Sequence, residues 1–221
     1  MKIYAARTCE TGTEKLQKLL DSDRQKKVSA LKNEKEKCRS ITAGLLLRHA
    51  FLKMGHCEQE WQQVRIETEA YGKPYIKGYE NFYYSLSHSG EWILCVVDGV
   101  PVGCDIQEMA PWKLQIAKRF YSKEEYDRIA VINESEDDAR TRLFYHMWAA
   151  KESAVKLSGR GIGEGIDRYV TDDNFCFIHD VETNQKIPIR LYDELDGYAV
   201  CVCSESGAFP DQINWVDCGI G

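Results

Sequence analysis

Residues 34–54 carry the strongest periodic pattern in the chain. Ile41, Leu45, Leu46, His49 and Leu52 recur at helical spacing, and Gly55 supplies a stop. A second helical pattern covers 13–32, with Leu16, Leu19, Leu20, Val28 and Leu31 as its apolar members. Shorter helices are predicted over 112–120 and 122–131. A long one runs from Asp138 to Leu157 and ends in the glycine-rich GRGIGEG at 159–165. Strand patterns fall at 2–6 and 64–68, followed by a turn at Tyr71-Gly72-Lys73-Pro74. Residues 82–106 read as a β-meander punctuated by Ser89-Gly90 and Asp98-Gly99, its third strand being 100–106. Further strands are predicted at 167–171, 174–179, 186–192 and 197–203. This order of helices and strands predicts an α+β fold and not an alternating parallel sheet. A faint internal echo accompanies it: LLRHAFLKMG and AAKESAVKLSGRG each end a long helix near a glycine, and each is followed by strands.

Composition narrows the class. The 221 residues suffice for one large domain or two small ones, with 43% hydrophobic and 29% charged residues. No apolar run is long enough to span a bilayer. The segment MKIYAARTCE has no apolar signal core, so a cytoplasmic protein is expected. Nine cysteines cannot all pair internally, and no C-x-x-C is present. Reduced thiols are therefore expected, without a zinc or redox motif. The net charge of −6 argues against a nucleic-acid partner. Yet Arg24, Lys26, Lys27, Lys32, Lys35, Lys37 and Arg39 crowd one short stretch. A solvated helix face and an anion site both explain such a run.

Three groups of residues could carry chemistry. Trp148, Glu152 and Lys156 are spaced four apart, which stacks them on one helix face. An exposed ion pair between Glu152 and Lys156 is the plain reading. Asp105 closes the apolar strand VPVGC, where it could cap a turn or hold a cation. In SLSHSG, Ser87 and His88 precede a turn, where they could be structural or contact a phosphate. No G-x-x-x-x-G-K-[ST] occurs, and Gly159, Gly161, Gly163 and Gly165 lack the dinucleotide spacing.

Taken together, the motifs resemble those of the phosphopantetheinyl transferases. GCDIQEM (Gly103–Met109) is similar to the family's G-[VI]-D-[IV]-E box, and FYHMWAAKESAVKLSGRGI (Phe144–Ile162) to its W-x-x-K-E-[AS]-x-x-K box. SLSHS resembles N-[IL]-S-H-S, YGKP matches Y-G-K-P, and CRSITAGLLLR resembles R-S-x-x-x-x-L-L-R. The five occur in the family's order over residues 24–162, and the length fits the larger, Sfp-like branch. That resemblance implies a pseudo-dimer of two similar α+β halves, here 1–104 and 105–221. Coenzyme A would lie between them, with Mg²⁺ on its diphosphate. Asp105 and Glu152 match metal ligands, and Gln107 stands where the family often has a second acid. Lys156, and also Lys151, would lie near the phosphates. Ser87 and His88 match contacts to the nucleotide and its 3′-phosphate, and Lys73 matches a residue beside the adenine. Arg24, Lys27, Arg39 and Ser40 align with the basic and hydroxyl contacts to the 3′-phosphate.

The implied reaction is attack by a serine of an apo acyl or peptidyl carrier protein on the β-phosphate of coenzyme A. It releases 3′,5′-ADP, as in a holo-[acyl-carrier-protein] synthase. Glu152 would take the serine proton and Lys156 would stabilise the leaving nucleotide. A monomer is expected, with no membrane and no nucleic acid involved. Two other classes stand beside this one: a coenzyme A-binding module without transfer activity, and a plain structural protein.

Overall fold

The computed structural model describes residues 1–9, 13–161 and 165–218. Its first half comprises β1 (Lys2–Arg7), α1 (Thr13–Gln17), α2 (Ser22–Ala30), α3 (Glu34–Lys53), α4 (Glu58–Trp61), β2 (Ile66–Thr68), β3 (Pro74–Ile76), β4 (Tyr83–Ser89) and β5 (Trp92–Asp98). The second comprises β6 (Val102–Glu108), α5 (Leu114–Phe120), α6 (Lys123–Ala130), α7 (Asp137–Ser158), β7 (Tyr169–Thr171), β8 (Phe177–Asp180), β9 (Gln185–Tyr192), β10 (Tyr198–Ser204) and β11 (Asn214–Trp215).

Strand alternation builds the layers. In β1 and β5, Tyr4, Ala6, Ile93, Cys95 and Val97 face α3, where they meet Ala43, Leu46, Leu47, Ala50 and Phe51. The intervening Ile3, Ala5, Leu94 and Val96 face the other way, onto Val102, Cys104, Ile106, Val200 and Val202 of β6 and β10. The far side of the second sheet, with Ala199, Cys201 and Cys203, packs on Ala150, Ala154 and Leu157 of α7. The order is thus helix, sheet, sheet, helix. The α+β pseudo-dimer of two similar halves is the observed architecture, and cysteines such as Cys95, Cys104 and Cys201 are free thiols in its cores. No helix among the described residues is long and apolar enough to cross a membrane.

The first sheet runs β11-β1-β5-β4 and the second β6-β10-β9-β8-β7. The meander expected over 82–106 is therefore a hairpin, β4–β5, followed by a strand that changes sheets. β6 pairs along its whole length with β10, from Val102↔Ser204 to Glu108↔Tyr198. Its other edge meets β4 through side chains. The Cys104, Ile106 and Glu108 amides donate to the hydroxyls of Ser85 (3.1 Å), Ser87 (3.3 Å) and Ser89 (2.9 Å). Equal steps of two along both strands make this seam parallel.

Three further differences follow. The helix expected over 13–32 is two helices, because the Asp21 side chain accepts from the Arg24 amide at 2.9 Å and so starts a new helix there. A division at 104/105 falls inside β6, which belongs wholly to the second sheet. The halves are also interleaved, since β11 returns to pair parallel with β1. Of the glycine-rich turn, residues 162–164 lie outside the described residues.

Gly103 lets α7 approach β6. A Cβ there would stand 1.9 Å from the Ser153 carbonyl oxygen and 2.6 Å from the Leu157 nitrogen. Gly103→Ala should push the helix off the strand and lower stability by about 3 kcal/mol, read as a reduced urea midpoint. An unchanged midpoint would mean that α7 is free to shift outward.

Candidate active site

On β6, Val102, Cys104 and Ile106 point into the central core, which leaves Gly103, Asp105 and Gln107 toward α7. Asp105 is only 1% exposed. Its Oδ1 accepts from Ser87 Oγ at 2.7 Å and from Lys156 Nζ at 2.6 Å, and its Oδ2 accepts from Gln107 Nε2 at 2.9 Å. Lys156 Nζ also donates to Ser87 Oγ at 2.8 Å. The lysine therefore pairs with Asp105 on the facing strand and not with Glu152 on its own helix. Glu152 is buried on the same stripe of α7 and has no hydrogen bond or ion pair among the described residues. One turn earlier, Trp148 packs against Phe120 and Phe144.

The electrostatics follow from this crowding. Burial, and next the Asp105 carboxylate, push the Glu152 carboxyl up to about 7, with Lys156 opposing. Burial works against the Lys156 charge, but Asp105 and then Glu152 hold its ammonium above the ordinary lysine value. His88 is held below its ordinary value by lost hydration and by the positive charge of Arg39. Arg39, on α3, thus converges with His88, on β4.

A cleft of about 260 Å³ runs from this junction to the turn after β2 and is lined by Tyr71, Lys73, Leu86, Glu152, Lys156 and Gly159 among others. Lys73 contributes its stem. Its ammonium donates to the Leu157 carbonyl at 2.7 Å and to that of Val102 at 3.4 Å, and burial lowers its pKa.

Lys151, Arg24 and Lys27 are not among the residues that line this cleft. Lys151 is fully buried and turned toward α6, where its ammonium pairs with Glu125 at 2.8 Å and donates to the Tyr169 carbonyl. It does not line the cleft, because it leaves α7 on the side covered by α6. Arg24 threads beneath Gly44, where a Cβ would meet its Cδ at 2.4 Å, and donates to the Ser40 carbonyl at 3.4 Å. Lys27 is exposed. Near Arg24 Nε, the Asp21 Oδ2, Ser40 Oγ and Tyr84 hydroxyl atoms are buried without hydrogen-bond partners among the described residues. Sequence reasoning singled out neither the seam serines Ser85 and Ser89 nor Gly103 as residues that shape the site. The alternation S-L-S-H-S was the available signal for the serines.

A family profile described as 4′-phosphopantetheinyl transferase superfamily matches residues 101–205. One described as 4′-phosphopantetheinyl transferase, N-terminal, matches residues 8–99. They meet in the turn before β6. A 4′-phosphopantetheinyl transferase of Bacillus subtilis is 31% identical over 220 residues, covering 96% of each chain. The 4′-phosphopantetheinyl transferase Sfp of Bacillus subtilis strain 168 is 29% identical over 223 residues, covering 98% of this chain and 97% of its own. An L-aminoadipate-semialdehyde dehydrogenase-phosphopantetheinyl transferase of Mus musculus is 30% identical over 125 residues, 51% of this chain and 40% of its own.

The raised Glu152 pKa has a cost in stability. Between the unfolded value and about 7 the folded protein binds the extra proton, so stability falls as pH rises through that window. In chelator, Glu152→Gln should raise the urea stability at pH 8 by about 3 kcal/mol, and the gain should vanish below about pH 4.5. A gain independent of pH would refute the assignment.

Proposed function

The chain belongs to the 4′-phosphopantetheinyl transferase superfamily and transfers phosphopantetheine from coenzyme A to carrier proteins; from that premise we propose that the reaction runs in the cleft between α7 and the β4–β6 seam. The acceptor is a serine of an apo acyl or peptidyl carrier protein, as in a holo-[acyl-carrier-protein] synthase, and the other product is 3′,5′-ADP. The observation that carries the reading is the convergence of Asp105, Ser87 and Lys156 from both halves beside Glu152.

The residues present fit Mg²⁺. Among the described residues no three acidic, histidine or cysteine side chains are grouped so as to hold a metal ion by themselves. Asp105 and Glu152 are thus two carboxylates, and a hard cation on a diphosphate needs only one or two. Burial, and next Asp105, raise the Glu152 pKa, so two carboxylates share the one ammonium of Lys156. Gln107 adjoins Asp105 and would offer its amide oxygen if the amide turned, or leave the place to water. When bound, the ion would neutralise charge on the diphosphate and help align the acceptor.

The side chains divide the remaining work. Lys156 stabilises the charge growing on the departing nucleotide. Glu152 would take the serine proton, directly or through water, as the serine oxygen bonds to phosphorus and the phosphoanhydride bond breaks. Arg39, Ser40, His88, Ser87, Arg24 and Lys27 form the nucleotide and 3′-phosphate side, and Lys73 lies beside the adenine. Lys151 acts by holding α7 on α6, and reaches the phosphates only if its buried pair breaks. A net charge of −6 gives no global attraction for an acidic carrier, so docking depends on a local patch. The pseudo-dimer supplies both sides of the cleft, which favours a monomer, and a cytoplasmic setting suits the free thiols.

Incubation with coenzyme A, Mg²⁺ and apo carrier protein should add one phosphopantetheine to the carrier, seen by intact mass. Asp105→Ala and Glu152→Ala should each lower kcat on the order of 100-fold or more. Full turnover in either variant would remove that residue from the site. Gln107→Glu should lower the Mg²⁺ concentration needed for half-maximal rate, and no change would assign that place to water alone.

A further inference from the structure

We infer that Lys156 and the divalent cation are alternative partners of Asp105, and that Ser87 is the pivot on which the lysine turns between them. This rests on the reading of Asp105 as a cation ligand.

Consider how Asp105 is satisfied. A carboxylate oxygen offers two lone pairs. On Oδ1 both are used, by Ser87 Oγ at 2.7 Å and Lys156 Nζ at 2.6 Å. On Oδ2, one is used by Gln107 Nε2 at 2.9 Å. A cation at Oδ1 must therefore displace a donor. A cation at Oδ2 would stand close to the ammonium on the neighbouring oxygen, in a nearly dry site where like charges repel strongly. Asp105 is 1% exposed, so little water screens that repulsion. Ser87 is also held by the Ile106 amide and carries no charge, so on either oxygen the donor that gives way is the lysine.

Ser87 makes the departure possible without losing the lysine. Its hydroxyl is fixed by donating to Asp105 and by accepting from the Ile106 amide at 3.3 Å. Lys156 Nζ is 2.8 Å from that hydroxyl. The four-carbon stem is flexible, so the ammonium can swing off Oδ1 toward the cleft while keeping its bond to Ser87. In the cleft, Lys73 is a second cation and offers no counter-charge, and its own ammonium is turned to the Leu157 and Val102 carbonyls. A diphosphate supplies what is missing: oxygens for the displaced ammonium and further ligands for the cation. Cation and diphosphate consequently enter together, and the cation alone binds poorly. The same exchange keeps a compensating charge beside Asp105 at every stage, which an empty buried carboxylate would lack.

The test measures binding of Mn²⁺ by calorimetry, with and without coenzyme A, independently of turnover. Lys156→Met should bind Mn²⁺ without coenzyme A at least about tenfold more tightly than the parent, because it frees Oδ1. Lys73→Met is the control: it removes a positive charge from the same cleft but frees no carboxylate oxygen, and should change Mn²⁺ binding less than about twofold. No gain in Lys156→Met, or an equal gain in both variants, would overturn the exchange. If no form takes up Mn²⁺ although coenzyme A binds, Asp105 is not a cation ligand and the exchange falls with that reading. A structure of the parent with Mn²⁺ and coenzyme A gives a second measure that needs no variant. It should show Nζ off Oδ1 and still hydrogen-bonded to Ser87. Nζ remaining on Oδ1 beside the bound ion would refute the proposal.

Discussion

Everything in this architecture is referred to three serine hydroxyls. Ser85, Ser87 and Ser89 stand at alternate positions of β4, so all three project from one side and meet the amides of β6. An ordinary ladder would fuse β4 and β6 into one continuous sheet. A hydroxyl between the backbones replaces the direct amide–carbonyl bond, and the two sheets stay distinct while their faces close on a common core. Each such bond is worth only about 1 kcal/mol net, but an unmet buried amide costs more. The seam therefore fixes register as much as stability. Its middle member is also the active-site contact: Ser87 accepts from Ile106 and donates to Asp105.

Placement of α7 is the second constraint, and it depends on Gly103 two residues before Asp105. Close approach brings Lys156 within reach of the aspartate. The helix period then sorts the neighbours. At about 100° per residue, Glu152 and Lys156 lie roughly 40° apart, whereas Lys151 and Lys156 lie about 140° apart. One lysine faces the seam and the other faces α6. Glu125 there is fully committed, since its second oxygen accepts from the Thr171 amide and hydroxyl at 2.9 and 3.0 Å. Removing Lys151 from that network would leave a buried charge unpaired, so its position is a folding requirement.

The sequence announced the elements better than their partners. The periods of α3 and α7 are strong because each helix buries one face on a sheet, and their ends fall within a residue or two of the pattern. The sheet change at β6 was illegible: an apolar alternating strand after a turn looks the same whether it pairs with its neighbour or leaves it. β11, with two residues, carries no period at all. Asp105 and Glu152 were found through ordered motifs, and the fold places them together. The motif could not show that Gln107 donates to Asp105, because an amide orientation is set by its surroundings. Nor could a fixed spacing show that Lys151 and Arg24 turn inward, since each is decided by a glycine or an acid distant in the chain.

The basic stretch shows how both readings of a charge run can hold. Lys26 and Lys37 pair with Asp23 and Glu34 at i,i+3 on exposed surface, as a solvated helix face should. Arg39 does something else. It stands close enough to His88 for its charge to depress the imidazole pKa. Two potential donors thus converge on one place, and the guanidinium disfavours the charged imidazole. A phosphate between them would reverse the sign: its negative charge favours the imidazolium, and the two groups become cooperative instead of opposed. Lost hydration is the first cause of the depressed histidine and Arg39 the second, so a partly buried imidazole beside a guanidinium is what the stretch offers an anion.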